Sequence, residues 1–352
     1  MQYNQRWPKV GQALPIVIVG AGGIVHDAHL PAYRQVGLPV KAIFDIQKDL
    51  AEERAKNWDI PIVANSLEEI TNFGTMVVYD LAIPPDVITK TLLQLPDNAA
   101  ILIQKPMGRD LQTAKQIKNI CAQKNLTVAV NFQLRFSPMM LIAHQIIKEG
   151  DIGTLLDVEA NINVLTPWEL FPFLKGMDRL EMLLHSIHYI DLIRSIVGNP
   201  TSVFARSVND PRLDSDLSQT RTSVIFDYPA PLRCLMSINH NHNYGPKFQN
   251  GYFRFEGTKG CIIVKVGALL NYPEGAADEL WLKIDNHDWQ EIPLEGSWFP
   301  DAFIGTMSNL QRFYNKEDKQ LLTSVDDACQ TMAVVEACFQ SLNTPGVLPK
   351  YS

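Results

Sequence analysis

The 352-residue sequence has no uninterrupted apolar stretch of about 18 residues, the length a membrane-spanning helix needs, so no membrane partner is expected. It has no run of Lys and Arg. With 31 basic against 38 acidic residues its formal net charge is -7, and nucleic acid is not expected as a partner. It has few cysteines: Cys121, Cys234, Cys261, Cys329 and Cys338. They are scattered, odd in number and never spaced C-x-x-C, which excludes a disulfide framework or a zinc ribbon and suits buried thiols in a reducing compartment. Met1 to Leu14 carries no apolar core of the signal-peptide kind, so a cytoplasmic protein is expected. Internal repeats and low-complexity segments are also absent. What remains is an ordinary folded composition, 46% hydrophobic and 20% charged, on a chain long enough for two domains.

The first part alternates strands and helices. Pro15 to Val19 is a short β-branched run ending at Gly20, of the kind buried on both faces in a parallel sheet. A helix is expected over Val25 to Gln35, strands at Val40 to Phe44, Pro61 to Ala64, Met76 to Ile83, Ala99 to Ile103 and Thr127 to Val130, and helices between them, one capped by Ser66. This order predicts an α/β, doubly wound Rossmann domain over residues 1–131. After Asn131 the rhythm changes. Six strands follow, at Leu155 to Val164, Thr201 to Val208, Thr222 to Tyr228, Leu232 to Asn239, Tyr252 to Glu256 and Cys261 to Val266, with one strong helix from Glu181 to Val197. Residues 132–352 therefore read as an α+β domain with an open, mainly antiparallel sheet. A last helix at about 324–342, capped by Ser324, is an element that could pack back on the first domain.

The loop after the first strand, Gly20-Ala21-Gly22-Gly23-Ile24-Val25, suits a dinucleotide. Glycines there allow a tight turn and let backbone N–H groups approach a pyrophosphate at a helix N-terminus. Val25 stands where the fingerprint has its third glycine. Asp45 ends the second strand, where a carboxylate accepts bonds from an adenosine ribose and repels a 2′-phosphate; no Arg follows it directly, so NAD is expected rather than NADP.

Further segments stand in a telling order: His29-Leu30-Pro31, Ile83-Pro84-Pro85, Gln104-Lys105-Pro106, Arg135-Phe136-Ser137-Pro138, His188-Tyr189-Ile190-Asp191 and Phe255 to Gly260. With the glycine loop they resemble the Gfo/Idh/MocA oxidoreductases, the family of glucose–fructose oxidoreductase and inositol dehydrogenase, over nearly the whole chain from Pro15. The resemblance implies hydride chemistry on sugars, polyols or their derivatives, and a homodimer or homotetramer formed through the second domain's sheet. It adds Ala82, Ile83, Pro84, Gln104, Lys105 and Arg135 to Gly20, Gly22, Gly23, Ile24, Val25 and Asp45 as cofactor-binding candidates. Two positions depart from the family: Gln104 replaces a usual Glu, and Leu184 stands where an Asp often precedes the helix histidine by four residues.

Lys105, His188 and His185 are the catalytic candidates. A lysine at the carboxyl end of a parallel strand can hydrogen-bond the reacting oxygen, and a histidine can accept the hydroxyl proton at neutral pH. His185, three residues before His188, shares its helix face. Lys105, Asn131, Trp168, Glu169, His185, His188, His240 and His242 are the substrate-binding candidates, with Phe171 and Phe173 in the same loop as Trp168. On a strand, His240 and His242 face the same side. No Cys or carboxylate accompanies these histidines at ligand spacing, so no metal is assigned. Asp191 reads as structural. The expected activity is alcohol–ketone interconversion on a sugar, polyol or cyclitol, with Lys105 and His188 handling the proton. The alternatives are a lyase or glycosidase that oxidises its substrate transiently, and a non-catalytic regulator that binds NAD or sugar.

Overall fold

The computed structural model describes residues 3–170, 176, 179–213, 217, 219–271, 275–344 and 346–347. The chain divides into two compact units, Met1–Gln145 with Leu294–Met332, and Ile146–Pro293 with Ala333–Ser352. This differs from the boundary expected at residue 131, because 132–145 and 294–332 pack with the first unit. The helix that caps on Ser324 accordingly begins in the first unit and ends in the second.

The first unit holds six parallel strands, β1 (Ile16–Val19), β2 (Val40–Phe44), β3 (Ile62–Val63), β4 (Val78–Leu81), β5 (Ala100–Ile103) and β6 (Thr127–Val130), in the order β3-β2-β1-β4-β5-β6. That is the doubly wound Rossmann order, with its reversal between β1 and β4. The expected apolar runs become β1, β4 and β5, every residue of which is buried. Helices α1 (Leu30–Val36), α2 (Lys48–Trp58), α3 (Leu67–Thr71), α4 (Pro85–Gln94) and α5 (Leu111–Gln123) connect the strands. Ser66 caps α3 as expected, its hydroxyl accepting the Glu69 N–H at 3.2 Å.

One strand carries a charge into this core. Asp80 of β4 is fully buried; its Oδ2 lies 2.6 Å from His29 Nδ1 and accepts the Tyr33 hydroxyl at 2.7 Å. His29 Nε2 lies 3.3 Å from Asn131 Nδ2, and Asn131 Oδ1 accepts from Thr306 at 2.8 Å. A buried carboxylate persists only with such partners. Burial first, and then the Asp80 charge, push the Tyr33 phenol well above its usual pKa, so it stays a donor.

The sequence reading has no element where Thr306 lies, in a helix over Asp301–Tyr314. It escapes periodicity because every residue from Ala302 to Gln311 is buried, leaving no polar stripe to alternate with an apolar one. Its polar residues are spent on fixed partners: Asn309 binds the Gln320 carbonyl, and Gln311 accepts the Leu14 N–H.

Helix α6 (Pro138–Glu149) leads into the second unit, whose eight strands are β7 (Leu155–Asn163), β8 (Ser202–Val208), β9 (Arg221–Asp227), β10 (Arg233–Asn239), β11 (Asn250–Gly257), β12 (Gly260–Lys265), β13 (Glu279–Ile284) and β14 (Gln290–Glu291). They lie in the order β14-β13-β12-β11-β7-β10-β9-β8. Only β7 and β10 pair parallel, so the sheet is mainly antiparallel as expected. Helix α7 (Ile187–Val197) covers its buried face, where Tyr189 meets Phe253 edge-on at 5.7 Å. Helices α8 (Asp301–Tyr314) and α9 (Val325–Leu342) complete the chain. Strand β13 is absent from the sequence reading although its signal is present: buried Leu280 and Leu282 alternate with less buried Glu279, Trp281 and Lys283. On the opposite face, Arg254 bridges Asp157 and Glu159 at 3.2 and 2.7 Å.

Replacing Asp80 by Ala strands His29 and Tyr33 without their shared acceptor. Urea unfolding of Asp80→Ala is expected to show a loss of about 3 kcal/mol or more; a variant as stable as the parent excludes the network as a support of this unit.

Candidate functional site

The carboxyl ends of β1, β2, β4 and β5 are drawn level by backbone bonds. Gly20 N–H donates to the Phe44 carbonyl at 2.7 Å, Ala82 N–H to Val19 at 2.9 Å and Gln104 N–H to Leu81 at 2.9 Å. Gly20 has φ +104°, and a Cβ there would stand 2.2 Å from the Ala82 carbonyl oxygen, so only glycine fits. At Gly22 a Cβ would meet nothing within 4 Å; the space over this turn is open. The helix that follows opens at Gly23 and Ile24 and runs through a π-helical turn, Val25–His29, into α1.

Asp45 does more than end β2. Its Oδ2 accepts the Ala21 N–H at 2.7 Å and its Oδ1 the Gln47 N–H at 2.8 Å. It therefore holds the glycine turn in place, while each oxygen keeps a further lone pair. Arg54 of α2 donates to the Ala21 carbonyl at 3.3 Å from the other side of the turn. Ile24 and Ile83 lie half-buried beside these ends, and Pro84 is exposed.

Gln104 and Lys105 follow β5. The Gln104 Oε1 is buried and has no protein partner. The Lys105 side chain is half-buried, and loss of solvent around it lowers its ammonium from the usual 10.5 to about 8. A lysine so placed shifts between proton donor and acceptor near neutral pH.

Two candidates from the sequence are committed elsewhere in the same unit. The Asn131 side chain is fully buried and its amide is taken by His29 and Thr306, so it is not presented to a substrate. Arg135 points at the start of α9: Nη2 lies 2.5 Å from Asp327 Oδ2 and Nη1 donates to the Leu322 carbonyl at 3.1 Å. Its role here is to tie two segments of the unit together, a use that Arg-Phe-Ser-Pro does not disclose by itself.

In the second unit, the helix carrying the histidines runs from Leu180 and Glu181 through a π-helical turn, Met182–Ser186, and continues as α7. His188 is buried and His185 half-buried. His185, Trp168 and His240 form a cluster of rings: centroids are 4.7 Å apart for His185 and His240, 5.7 Å for Trp168 and His185, and 5.8 Å for Trp168 and His240. Trp168 is fixed by its Nε1–H to Asn241 Oδ1 at 3.0 Å. His240 Nδ1 lies 2.9 Å from Thr166 Oγ1, a partner the sequence reading did not single out.

His242 does not join the cluster. Strand β10 ends at Asn239, so strict alternation does not carry through to it, and its ring neighbour is exposed Tyr244 at 5.7 Å. Glu169 is exposed on a short 3-10 turn, and Asp191 is buried in α7. Phe171 and Phe173 lie outside the described residues. Among the described residues no three His, Cys, Asp or Glu side chains are grouped as metal ligands, and no helix is long and apolar enough to cross a membrane.

Comparison with known proteins bears on both units. Residues 14–132 match the model of an oxidoreductase family with an NAD-binding Rossmann fold, and residues 144–348 match that family's C-terminal alpha/beta domain. The chain is 28% identical over 356 residues to an uncharacterised protein of Saccharomyces cerevisiae, covering 93% of this chain and 95% of that one. It is 26% identical over 212 residues to levoglucosan dehydrogenase of Pseudarthrobacter phenanthrenivorans, covering 55% of this chain and only 54% of that enzyme. Among solved structures, levoglucosan dehydrogenase in complex with NADH and levoglucosan superposes with a TM-score of 0.77 at 19% identity, covering 94% of this chain and 97% of that one. An Agrobacterium radiobacter oxidoreductase in complex with NAD+, L-tartaric acid and magnesium gives 0.75 at 17%, covering 94% and 96%. At such identities the superpositions establish a shared fold.

Burying the Lys105 charge costs stability wherever the folded protein must hold it protonated. Since its folded pKa, about 8, lies below the usual 10.5, that cost is full below pH 8 and vanishes as pH rises through the usual lysine value. Lys105→Met is expected to melt above the parent at pH 7, with the difference closing by pH 10 or so. Equal melting temperatures at pH 7 exclude a buried charge at this position.

Proposed function

The chain belongs to the Gfo/Idh/MocA oxidoreductase family, and on that premise we propose that it is an NAD(H)-dependent dehydrogenase or reductase interconverting an alcohol and a ketone on a sugar, polyol or cyclitol. The observation that carries this reading is Lys105, half-buried with its ammonium lowered to about 8, at the carboxyl end of β5, two strands from the glycine turn along one edge of the sheet. The residues fit a dinucleotide. Gly20 permits the tight turn, the open space over Gly22 admits a pyrophosphate, and Gly23, Ile24 and Val25 begin the helix whose N-terminus favours its charge. Asp45 has a lone pair left on each oxygen for ribose hydroxyls, and would repel a 2′-phosphate, which favours NAD over NADP. Ala82, Ile83 and Pro84 flank the dinucleotide, and the partnerless Gln104 Oε1 accepts from its polar nicotinamide end.

Bound NAD supplies the acceptor or donor of the hydride. The protein's part is to place the substrate and move the proton. In this reading Lys105 hydrogen-bonds the reacting oxygen and favours its anionic character, while His188 takes or returns the hydroxyl proton. His185, Trp168 and His240 offer sugar an aromatic face with polar ring edges. Levoglucosan dehydrogenase and the D-apiose dehydrogenase of Rhizobium rhizogenes, 21% identical over 256 residues, support a carbohydrate as substrate class. The five free cysteines suit the cytoplasm. Exposed Phe204 and Ile225, paired across β8 and β9, suit a homodimer or homotetramer built on the open sheet face.

Fluorescence titration is the direct test. NADH is expected to bind at least tenfold more tightly than NADPH (about 1.4 kcal/mol), with Asp45→Ala weakening NADH and narrowing the gap. With NAD and a panel of sugars and cyclitols, turnover should appear as net NADH, and Lys105→Met should lower kcat by roughly a hundredfold or more. Folded protein that binds neither nucleotide overturns the proposal. Turnover without net NADH formation favours transient oxidation of the lyase or glycosidase kind instead.

A further inference from the structure

Position 184 is a leucine, so the carboxylate expected one turn before the catalytic histidine is missing. A different carboxylate is buried in the same unit. Glu181 has 1% of its surface exposed, and its setting is unusual. Its Oε1 accepts the Ser186 hydroxyl and lies 3.6 Å from His240 Nε2, while its Oε2 has no protein partner. The π-helical turn explains the first contact: its backbone bonds reach from residue i to i+5, which brings Ser186 over Glu181. Glu181 also faces Tyr189 of α7 and Cys338 of α9. Burial raises both, the Cys338 thiol to about 12, and the Glu181 charge adds to each rise.

His240 is thus hydrogen-bonded at one ring nitrogen, while its buried Nε2 has no hydrogen-bond partner and lies within ion-pair range of Glu181. Thr166 Oγ1 lies 2.9 Å from Nδ1, and Glu181 Oε1 faces Nε2. At 3.6 Å the Glu181 carboxylate is beyond hydrogen-bond reach, but its charge favours the proton on Nε2, and the Thr166 hydroxyl then donates to Nδ1. The tautomer and ring plane of His240 follow, and with them the face it turns to His185, 4.7 Å away between centroids.

We propose that Glu181 is the positioning carboxylate of this histidine cluster: it fixes His240 as the Nε2–H tautomer and, through the His240–His185 contact, sets the ring that meets the substrate. It supplies from the preceding turn, and by way of a strand-end histidine, the anchoring that Leu184 does not. This rests on the dehydrogenase reading for its consequence in turnover, but not for its consequence in the ring.

The test therefore has two readouts. In 15N-histidine protein, long-range 1H–15N spectra distinguish the tautomers of the eight histidines, and loss of one signal in His240→Gln assigns His240. The parent is expected to show Nε2–H. Glu181→Gln keeps an acceptor and keeps that tautomer. Glu181→Leu removes the carboxylate charge that draws the proton to Nε2, and His240 moves its proton to Nδ1, where Thr166 accepts it. Thr166→Val, a mild change that keeps the fold if Glu181→Leu does not, leaves Nε2–H in place. An Nδ1–H tautomer in the parent or in Thr166→Val overturns the proposal, as does an unchanged tautomer in Glu181→Leu protein that still binds NADH. In turnover, Glu181→Leu should lose kcat roughly a hundredfold with little change in KM, and Glu181→Gln should recover most of it. Absence of turnover in the parent rejects the dehydrogenase reading alone, because the spectra still decide the role of Glu181.

Discussion

The approach of Gly20 to the Ala82 carbonyl, too close for any side chain, is the constraint on which the first unit's chemistry depends. It lets β1 end against the backbone that leaves β4, at the point where strand order reverses. The Gly20, Ala82 and Gln104 N–H groups then bond across to neighbouring strands, so four carboxyl ends finish on one line. Asp45, the glycine turn, Ala82 to Pro84 and Lys105 come from segments far apart in sequence. They share an edge because the sheet's hydrogen bonds leave them no other place. Asp45 then acts backward on the turn that faces it, so a residue suited to cofactor recognition is also part of the support.

Buried polar groups supply a second layer of constraint, and in both units they are histidines facing acids. Asp80 with His29 and Tyr33 joins β4 to the helix after the glycine turn, and Asn131 with Thr306 extends that chain to β6 and α8. Glu181 with His240, Ser186 and Thr166 ties the start of the histidine helix to the end of β10. Each such group is expensive to bury, and the partners it has offset that cost only while they stay in register. Such networks therefore fix geometry more sharply than apolar packing of the same volume. That suits elements lying beside a glycine turn in one unit and a ring cluster in the other.

Both polar networks touch a π-helical turn, Val25–His29 in the first unit and Met182–Ser186 in the second. A π turn inserts one residue into the helical repeat and shifts every later side chain around the axis. His29 and Ser186, each the last residue of its π turn, reach Asp80 and Glu181. Helix face assignments made at strict spacing of three and four miss this offset.

Much of the architecture is legible in the sequence, for identifiable reasons. Runs such as Ile16–Val19 and Ala100–Ile103 are apolar on both faces because their strands are covered on both, and glycine and proline mark where they stop. The glycine fingerprint led to Gly20 and Asp45, and the family resemblance to Lys105, since turn geometry and strand ends are local properties. Helix α8 was not legible, because complete burial erases the stripe by which a helix is known. Nor was the fate of Asn131 and Arg135, whose residue types suit a cleft equally well. Asn131 is enclosed because His29 and Thr306 arrive from distant segments, and Arg135 is claimed by Asp327. The sequence by itself determined the strand order's raw material, the glycine turn and the residue types able to move a proton. Only the tertiary structure decided which are enclosed, which acid faces which histidine and how far the Lys105 ammonium is lowered, because desolvation and pairing depend on neighbours brought together across the fold.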